Sequence, residues 1–154
     1  MMFLVDTNIF LEVLLTQDKE EDCKEFLDKN IGNLHMTDFS LHSIGVITFR
    51  YNKEDLFGKF VEDVLPTTML LSLPMEFYGG IVGSKKDLNL DFDDAYQYYV
   101  ARYYGLKIVT MDKDFEKIKD MDILGHSILV ADIQYCFITY LSFGSLMMWM
   151  VYFI

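Results

Sequence analysis

The sequence predicts an α/β fold of three layers, α/β/α, with a central, mostly parallel sheet, and three observations carry that prediction. Short apolar runs alternate with amphipathic stretches of helical period over residues 1–125, and such alternation argues for parallel strands covered on both faces by helices. No internal repeat or low-complexity linker interrupts this stretch. The 154 residues are about one domain's worth of chain, and with 52% hydrophobic and 24% charged residues they supply material for a single buried core.

Taken in order, Met2 to Val5 is a short apolar run that reads as a buried first strand, so that Asp6 stands at its carboxyl end. Ile9, Phe10, Val13 and Leu14 recur at helical spacing behind Thr7 or Asn8 as cap. Glu20 to Lys29 forms a second amphipathic helix, with Cys23, Phe26 and Leu27 inward, and Asn30 to Asn33 a turn. Leu34 to Thr37 is the second strand, followed by a helix from Phe39 to Arg50 capped by Thr37 or Asp38 and another from Lys53 to Leu65 stopped by Pro66. Met69 to Leu73 is the third strand. Pro74 opens a helix that should fray near Gly79, Gly80 and Gly83. A helix runs from Asp91–Asp94 through Tyr104, with Gly105 as its left-handed terminator. Leu106 to Thr110 is a buried strand, Lys113 to Lys119 a brief helix, and Met121 to Leu124 the last strand.

Charge and cysteine content exclude some functions. The 13 basic residues against 24 acidic ones give −11, which argues against a protein that holds nucleic acid on a broad basic surface. Cys23 and Cys136 have no metal-ligand spacing and are too few for a disulfide framework, so a reducing compartment, the cytoplasm, is expected. The first residues lack the basic segment of a signal peptide. All but one of the 37 charged residues precede Ala131, and residues 133–154 carry none. The reading is therefore a domain over 1–130 and an apolar C-terminal extension over 131–154. As a helix the end from Ile133 would be about 33 Å long, roughly a bilayer's hydrocarbon thickness. Membrane association, burial at a dimer interface and an accidental extension all stay open for residues 133–154.

Three aspartates carry the chemistry. Asp6 and Asp112 each follow a strand and Asp94 starts a helix, and ligands of open parallel sheets bind outside the carboxyl ends of strands. Carboxylates gathered there repel one another unless a cation neutralises them, and Mg²⁺ or Mn²⁺, which prefer oxygen ligands, suit that position. Such an ion lowers the pKa of a bound water and offsets charge on a scissile phosphate. The plain alternative is that these residues cap helices.

Three segments favour the site over the caps: DTN at 6–8, DDA at 93–95 and TMDKDF at 110–115. In that order and spacing they resemble the PIN-domain nucleases, in particular the VapC-type toxin ribonucleases of toxin–antitoxin pairs, over roughly residues 1–125. The resemblance implies a PIN-like fold and an Mg/Mn-dependent endoribonuclease that hydrolyses RNA phosphodiesters. Asp6 matches the family's first acidic ligand, Asp94 its third and Asp112 its fourth, making these three the catalytic and metal-binding candidates. Asn8 and Thr110 match polar residues beside those ligands, Asp114 a less regular acidic position, and Phe115 a packing role beneath the loop.

The family's second acid, a Glu about six residues past the Ser or Thr that ends the second strand, has no counterpart. The sequence there is TDFSLHSIG, and the count from Thr37 falls on Ser43, beside His42. Asp38 approaching from the helix start, His42 as a nitrogen ligand, or three aspartates with more water would each complete the site. Absence of that Glu also favours a second reading, a weakened PIN-like module that binds a partner protein or RNA. The resemblance further implies a small antitoxin protein as partner, and commonly a homodimer. Tyr96, Tyr98, Tyr99, Tyr103 and Tyr104 read as packing more than as stacking platforms for bases. Lys85, Lys86, Arg102 and Lys113 are the basic residues available to neutralise phosphates near the site.

Overall fold

The computed structural model describes residues 1–125; the expected apolar C-terminal helix and the roles weighed for it lie outside the described residues. Five parallel strands form the sheet: β1 (Phe3–Val5), β2 (Leu34–Thr37), β3 (Thr68–Leu71), β4 (Lys107–Val109) and β5 (Ile123–Leu124). Their order is β3-β2-β1-β4-β5, so β1 lies at the centre. The period of two along each strand divides the core. Leu4 and Ile108 face one cluster with Ala95, Tyr96 and Val100, whereas Phe3, Val5 and Val109 face the other with Ile9, Phe10 and Ile44.

Helices cover both faces, as expected. On one side lie α1 (Thr7–Leu14), α2 (Glu20–Lys29), α3 (Asp38–Arg50) and α4 (Glu54–Lys59); on the other lie α5 (Tyr78–Asp87) and α6 (Phe92–Tyr104). Gly105, at φ 66°, terminates α6 in the left-handed conformation that glycine adopts without a Cβ penalty. Thr37 caps α3 by accepting from the Ser40 N–H at 2.9 Å. Among the described residues, no helix is long and apolar enough to cross a membrane.

Four segments differ from expectation. The helix expected over Lys53–Leu65 ends at Lys59 and unwinds through a π-type turn at Phe60–Val64 into a 3₁₀ turn at Leu65–Thr67 that absorbs Pro66. The Thr67 and Thr68 hydroxyls donate to the freed Val64 carbonyl at 2.8 and 3.1 Å. After Pro74 a 3₁₀ turn (Met75–Phe77) leads into α5, which continues through its glycines to Asp87. At Gly80 an added Cβ would lie 2.7 Å from the Tyr99 ring, whose hydroxyl donates to the Gly80 carbonyl at 3.0 Å. Glycine there permits close approach of α5 to α6, and that packing offsets its poor helix propensity. Finally, β5 is only two residues long, and the segment before it is a 3₁₀ turn, Lys113–Lys117, where a brief helix to Lys119 was expected.

The tyrosines of α6 divide as that reading requires. Tyr96 and Tyr98 are buried, Tyr99 is half-buried, and Tyr103 and Tyr104 are exposed. Tyr96 also joins layers: its hydroxyl accepts from the Leu73 N–H at 3.0 Å and donates to Asp38 Oδ1 at 2.7 Å.

Phe115 is fully buried beneath the turn that follows β4. Phe115→Ala should therefore cost about 3–5 kcal/mol of stability in urea unfolding. An unchanged midpoint would mean that the turn is not anchored by the core.

Candidate metal centre

The strand order reverses direction at the centre of the sheet: the chain runs from β1 outward to β3, then returns to the other side of β1 with β4. A crevice opens at the carboxyl ends of strands at such a switch point. Val5 pairs with Val109, so the next residues, Asp6 and Thr110, emerge side by side, with the Asp6 N–H donating to the Val109 carbonyl at 2.9 Å.

Asp6 occupies the cap position of α1 in extended conformation, yet its side chain makes no capping bond. It is buried and turned instead toward three side-chain donors. Oδ1 accepts from Gln97 Nε2 at 2.7 Å, while Oδ2 accepts from Thr110 Oγ1 at 2.6 Å and Asn8 Nδ2 at 2.7 Å. Asn8 in turn accepts from the Met111 N–H, and Thr110 Oγ1 from the Asp112 N–H at 2.9 Å. Burial pushes the Asp6 carboxyl above its ordinary value, and the bonds from Thr110 and Gln97 oppose that shift by favouring the charged form.

A cleft of about 290 Å³ opens over Asp6. Asp94 and Asp112 border it, with Asn8, Gln97 and Ser43 among its polar walls and Leu11, Phe39 and Ile47 among its apolar ones. Asp94 lies in the first turn of α6 and is 8% exposed. Its carboxyl is raised to about 7, first by burial and then by the charges of Asp93, Asp112, Asp6 and Asp114. Asp94, Asp112 and Asp114 each place a carboxylate oxygen within 4.8 Å of the others. Asp6 stands outside that threesome. A larger cleft of about 610 Å³ shares Asp112 but is walled mostly by Met111, Phe115, Ile118, Met121 and Ile123, so the acidic chemistry belongs to the smaller one.

The donor set fits a hard divalent cation. It consists of carboxylate oxygens held too close for mutual comfort, in a partly desolvated cleft whose wall residue Gln97 carries a buried oxygen, Oε1, without a partner. Not every acid there is uncommitted: Asp112 Oδ1 accepts from the Asp114 N–H at 2.8 Å, and Lys117 pairs with Asp114 at 2.8 Å. The capping alternative thus holds for Asp112 and fails for Asp6.

Of the residues singled out in the sequence, the structure brings Asp6, Asn8, Asp94, Thr110 and Asp112 together, with Ser43 on the cleft wall. Asp114 enters the carboxylate cluster itself. Asp38 does not reach the cleft, because it accepts from Tyr96 and from the Phe39 N–H, and His42 is exposed away from it. Lys85 and Arg102 are engaged by Asp91 and Asp120. Gln97 escaped the sequence reading; its signal is a lone amide three residues beyond Asp94, hence on the same helical face.

Comparison with known proteins bears on the fold and the family. No curated protein matches the chain. Solved structures do match, at identities that speak for the fold. A toxin–antitoxin complex from Klebsiella pneumoniae matches with TM-score 0.59 and 20% identity, over 73% of this chain and 88% of that one. DNA-bound VapBC from Salmonella typhimurium matches with TM-score 0.68 and 18% identity, over 81% and 98%. VapC20 of Mycobacterium tuberculosis, a sarcin-ricin loop cleaving toxin, matches with TM-score 0.64 and 13% identity, over 74% and 92%. The PIN domain family profile matches residues 3–121, and with the switch-point cleft and its aspartates in place, the chain belongs to the PIN domain family.

Proposed function

We propose that the chain is an Mg²⁺- or Mn²⁺-dependent endoribonuclease, the toxin of a toxin–antitoxin pair, acting in the cytoplasm. One observation supports this reading above the others: the carboxylates of Asp94, Asp112 and Asp114 lie within 4.8 Å of one another, and the first two line a cleft together with the buried Asp6 at the sheet's switch point. The structural neighbours include toxin–antitoxin complexes and a toxin that cleaves the sarcin-ricin loop. Residues 1–130 form the catalytic unit in this reading, and 131–154 lie outside it.

Asp6, Asp94 and Asp112 are the proposed catalytic acids and ion ligands, with Asp114 beside them. When bound, the ion would activate a water toward the phosphodiester and offset charge on the phosphate. The chain's own contribution is positioning. Thr110, Asn8 and Gln97 fix the Asp6 carboxylate, the Asp114 N–H fixes Asp112, and Leu11, Phe39 and Ile47 limit water along one wall. A small antitoxin with a basic residue reaching the cleft would complement its charge, favouring fast and specific association. Homodimers accord with this toxin reading.

A second reading, a weakened module that binds a partner protein or RNA without cutting, draws on Ser43, which lines the cleft where the family carries a carboxylate. Calorimetric titration separates the two: the nuclease takes up Mn²⁺, and a binding-only module need not.

Cleavage of RNA by the full chain should require Mg²⁺ or Mn²⁺ and vanish with chelator. Asp6→Asn should reduce it to background while leaving the ion-free melting temperature undiminished, since the substitution removes a desolvated charge from a site that keeps its shape. Activity that survives chelation or Asp6→Asn overturns the assignment.

The raised Asp94 carboxyl also fixes a pH dependence. Folding favours proton uptake by this group between the ordinary value of 3.8 and about 7, so its contribution to ion-free stability is fullest below that window and is lost as pH rises through it. Thermal melts in chelator at pH 5 and pH 8 should show the decline, and Asp94→Asn should flatten it; equal slopes in both proteins would refute the cause given.

A further inference from the structure

Among the described residues, one buried side-chain polar atom has no hydrogen-bond partner: Gln97 Oε1. Gln97 is 3% exposed on α6, three residues from Asp94, and it lines the acidic cleft. Its other amide atom, Nε2, donates to Asp6 Oδ1 at 2.7 Å across 91 residues of sequence. Reversing the amide would set two acceptor oxygens against each other, so the charge on Asp6 holds Nε2 toward it and leaves Oε1 bare. A buried acceptor without a partner is a standing desolvation cost, and a side chain kept there for packing alone would be better apolar.

We infer that Gln97 is a positioning residue of the ion site, which holds the Asp6 carboxylate through Nε2 and leaves Oε1 without a partner as the cost of that hold. This rests on the metal-centre reading above. Along the cleft α6 thus presents three polar residues, Asp93, Asp94 and Gln97, where α3 supplies only Ser43. Outer groups that orient metal ligands typically change ion affinity by about 10- to 100-fold when removed.

The test is Mn²⁺ titration of the ion-stripped full chain by calorimetry, with a parallel ion-free melt. Gln97→Met, of similar volume and without the amide, should raise the Mn²⁺ Kd by about 10- to 100-fold. The ion-free melt shows whether the variant folds, since the exchange removes both the orphan oxygen and the donor to Asp6. An unchanged Kd in the folded variant overturns the role and leaves the metal centre standing. Failure of the wild type to take up Mn²⁺ removes both. Should Gln97→Met not fold, Gln97→Asn, which draws the amide back from Asp6, must show the same weakening, and wild-type affinity there overturns the inference.

Discussion

The arrangement of this protein turns on one buried carboxylate. Asp6 leaves the central strand at the point where water is excluded, and an isolated charge there would cost several kcal/mol or be neutralised by a proton. Its stability as a charged group depends on Thr110 and Gln97, which lie 104 and 91 residues away in sequence. Thr110 arrives only if β4 pairs with β1 in the observed register, and Gln97 only if α6 lies against the sheet through Ala95, Val100 and Ala101. A slip of one residue in β4 would turn its side chains to opposite faces and remove the Thr110 hydroxyl from Asp6. Formation of the sheet and assembly of the cleft are therefore one event, and the site's donors are also register markers for the fold.

The extent to which this could be read from the sequence follows from the range of each signal. Hydrophobic period is local, and the strands and α-helices of the described residues lie close to where alternation and spacing place them. Errors fall where tertiary contact outweighs propensity. The glycines of α5 weaken an isolated helix, but Tyr99 needs the space at Gly80, and nothing near residue 80 announces that. The π turn at Phe60–Val64 answers a need of Pro66 and of two downstream threonine hydroxyls.

The site divides in the same way. Asp6, Asp94 and Asp112 are legible because each stands at an element boundary, where polar residues after apolar runs are conspicuous. Asp114 joins the cluster because it stands in the first positions of the turn that Asp112 caps, its N–H donating to Asp112 Oδ1, a local geometry that a helix begun at Lys113 would share. Gln97 was not legible, since inside a tyrosine-rich helix an amide looks like one more residue of mixed polarity. Its meaning appears only when Asp6, remote in sequence, is placed against it.

The side of the cleft formed by α3 shows how the local charge balance is set. Asp38 is near enough in sequence to replace the absent acid, but Tyr96 and the Phe39 N–H draw its carboxylate into holding β3, α3 and α6 together. What α3 offers the cleft is Phe39, Ser43 and Ile47, so all the acids come from the β1 end, α6 and the turn after β4. Acids on that side alone would give a cation few protein ligands, which would suit a hard ion such as Mg²⁺ that dehydrates reluctantly and takes one or two carboxylates. The overall charge of −11 is a poor guide to this balance. Glu20, Glu21 and Asp22, for example, sit in the first turn of α2, where they complement the helix dipole, whereas the carboxyl raised to about 7 is that of the desolvated Asp94. Desolvation, more than the number of acids, sets the electrostatics of this cleft.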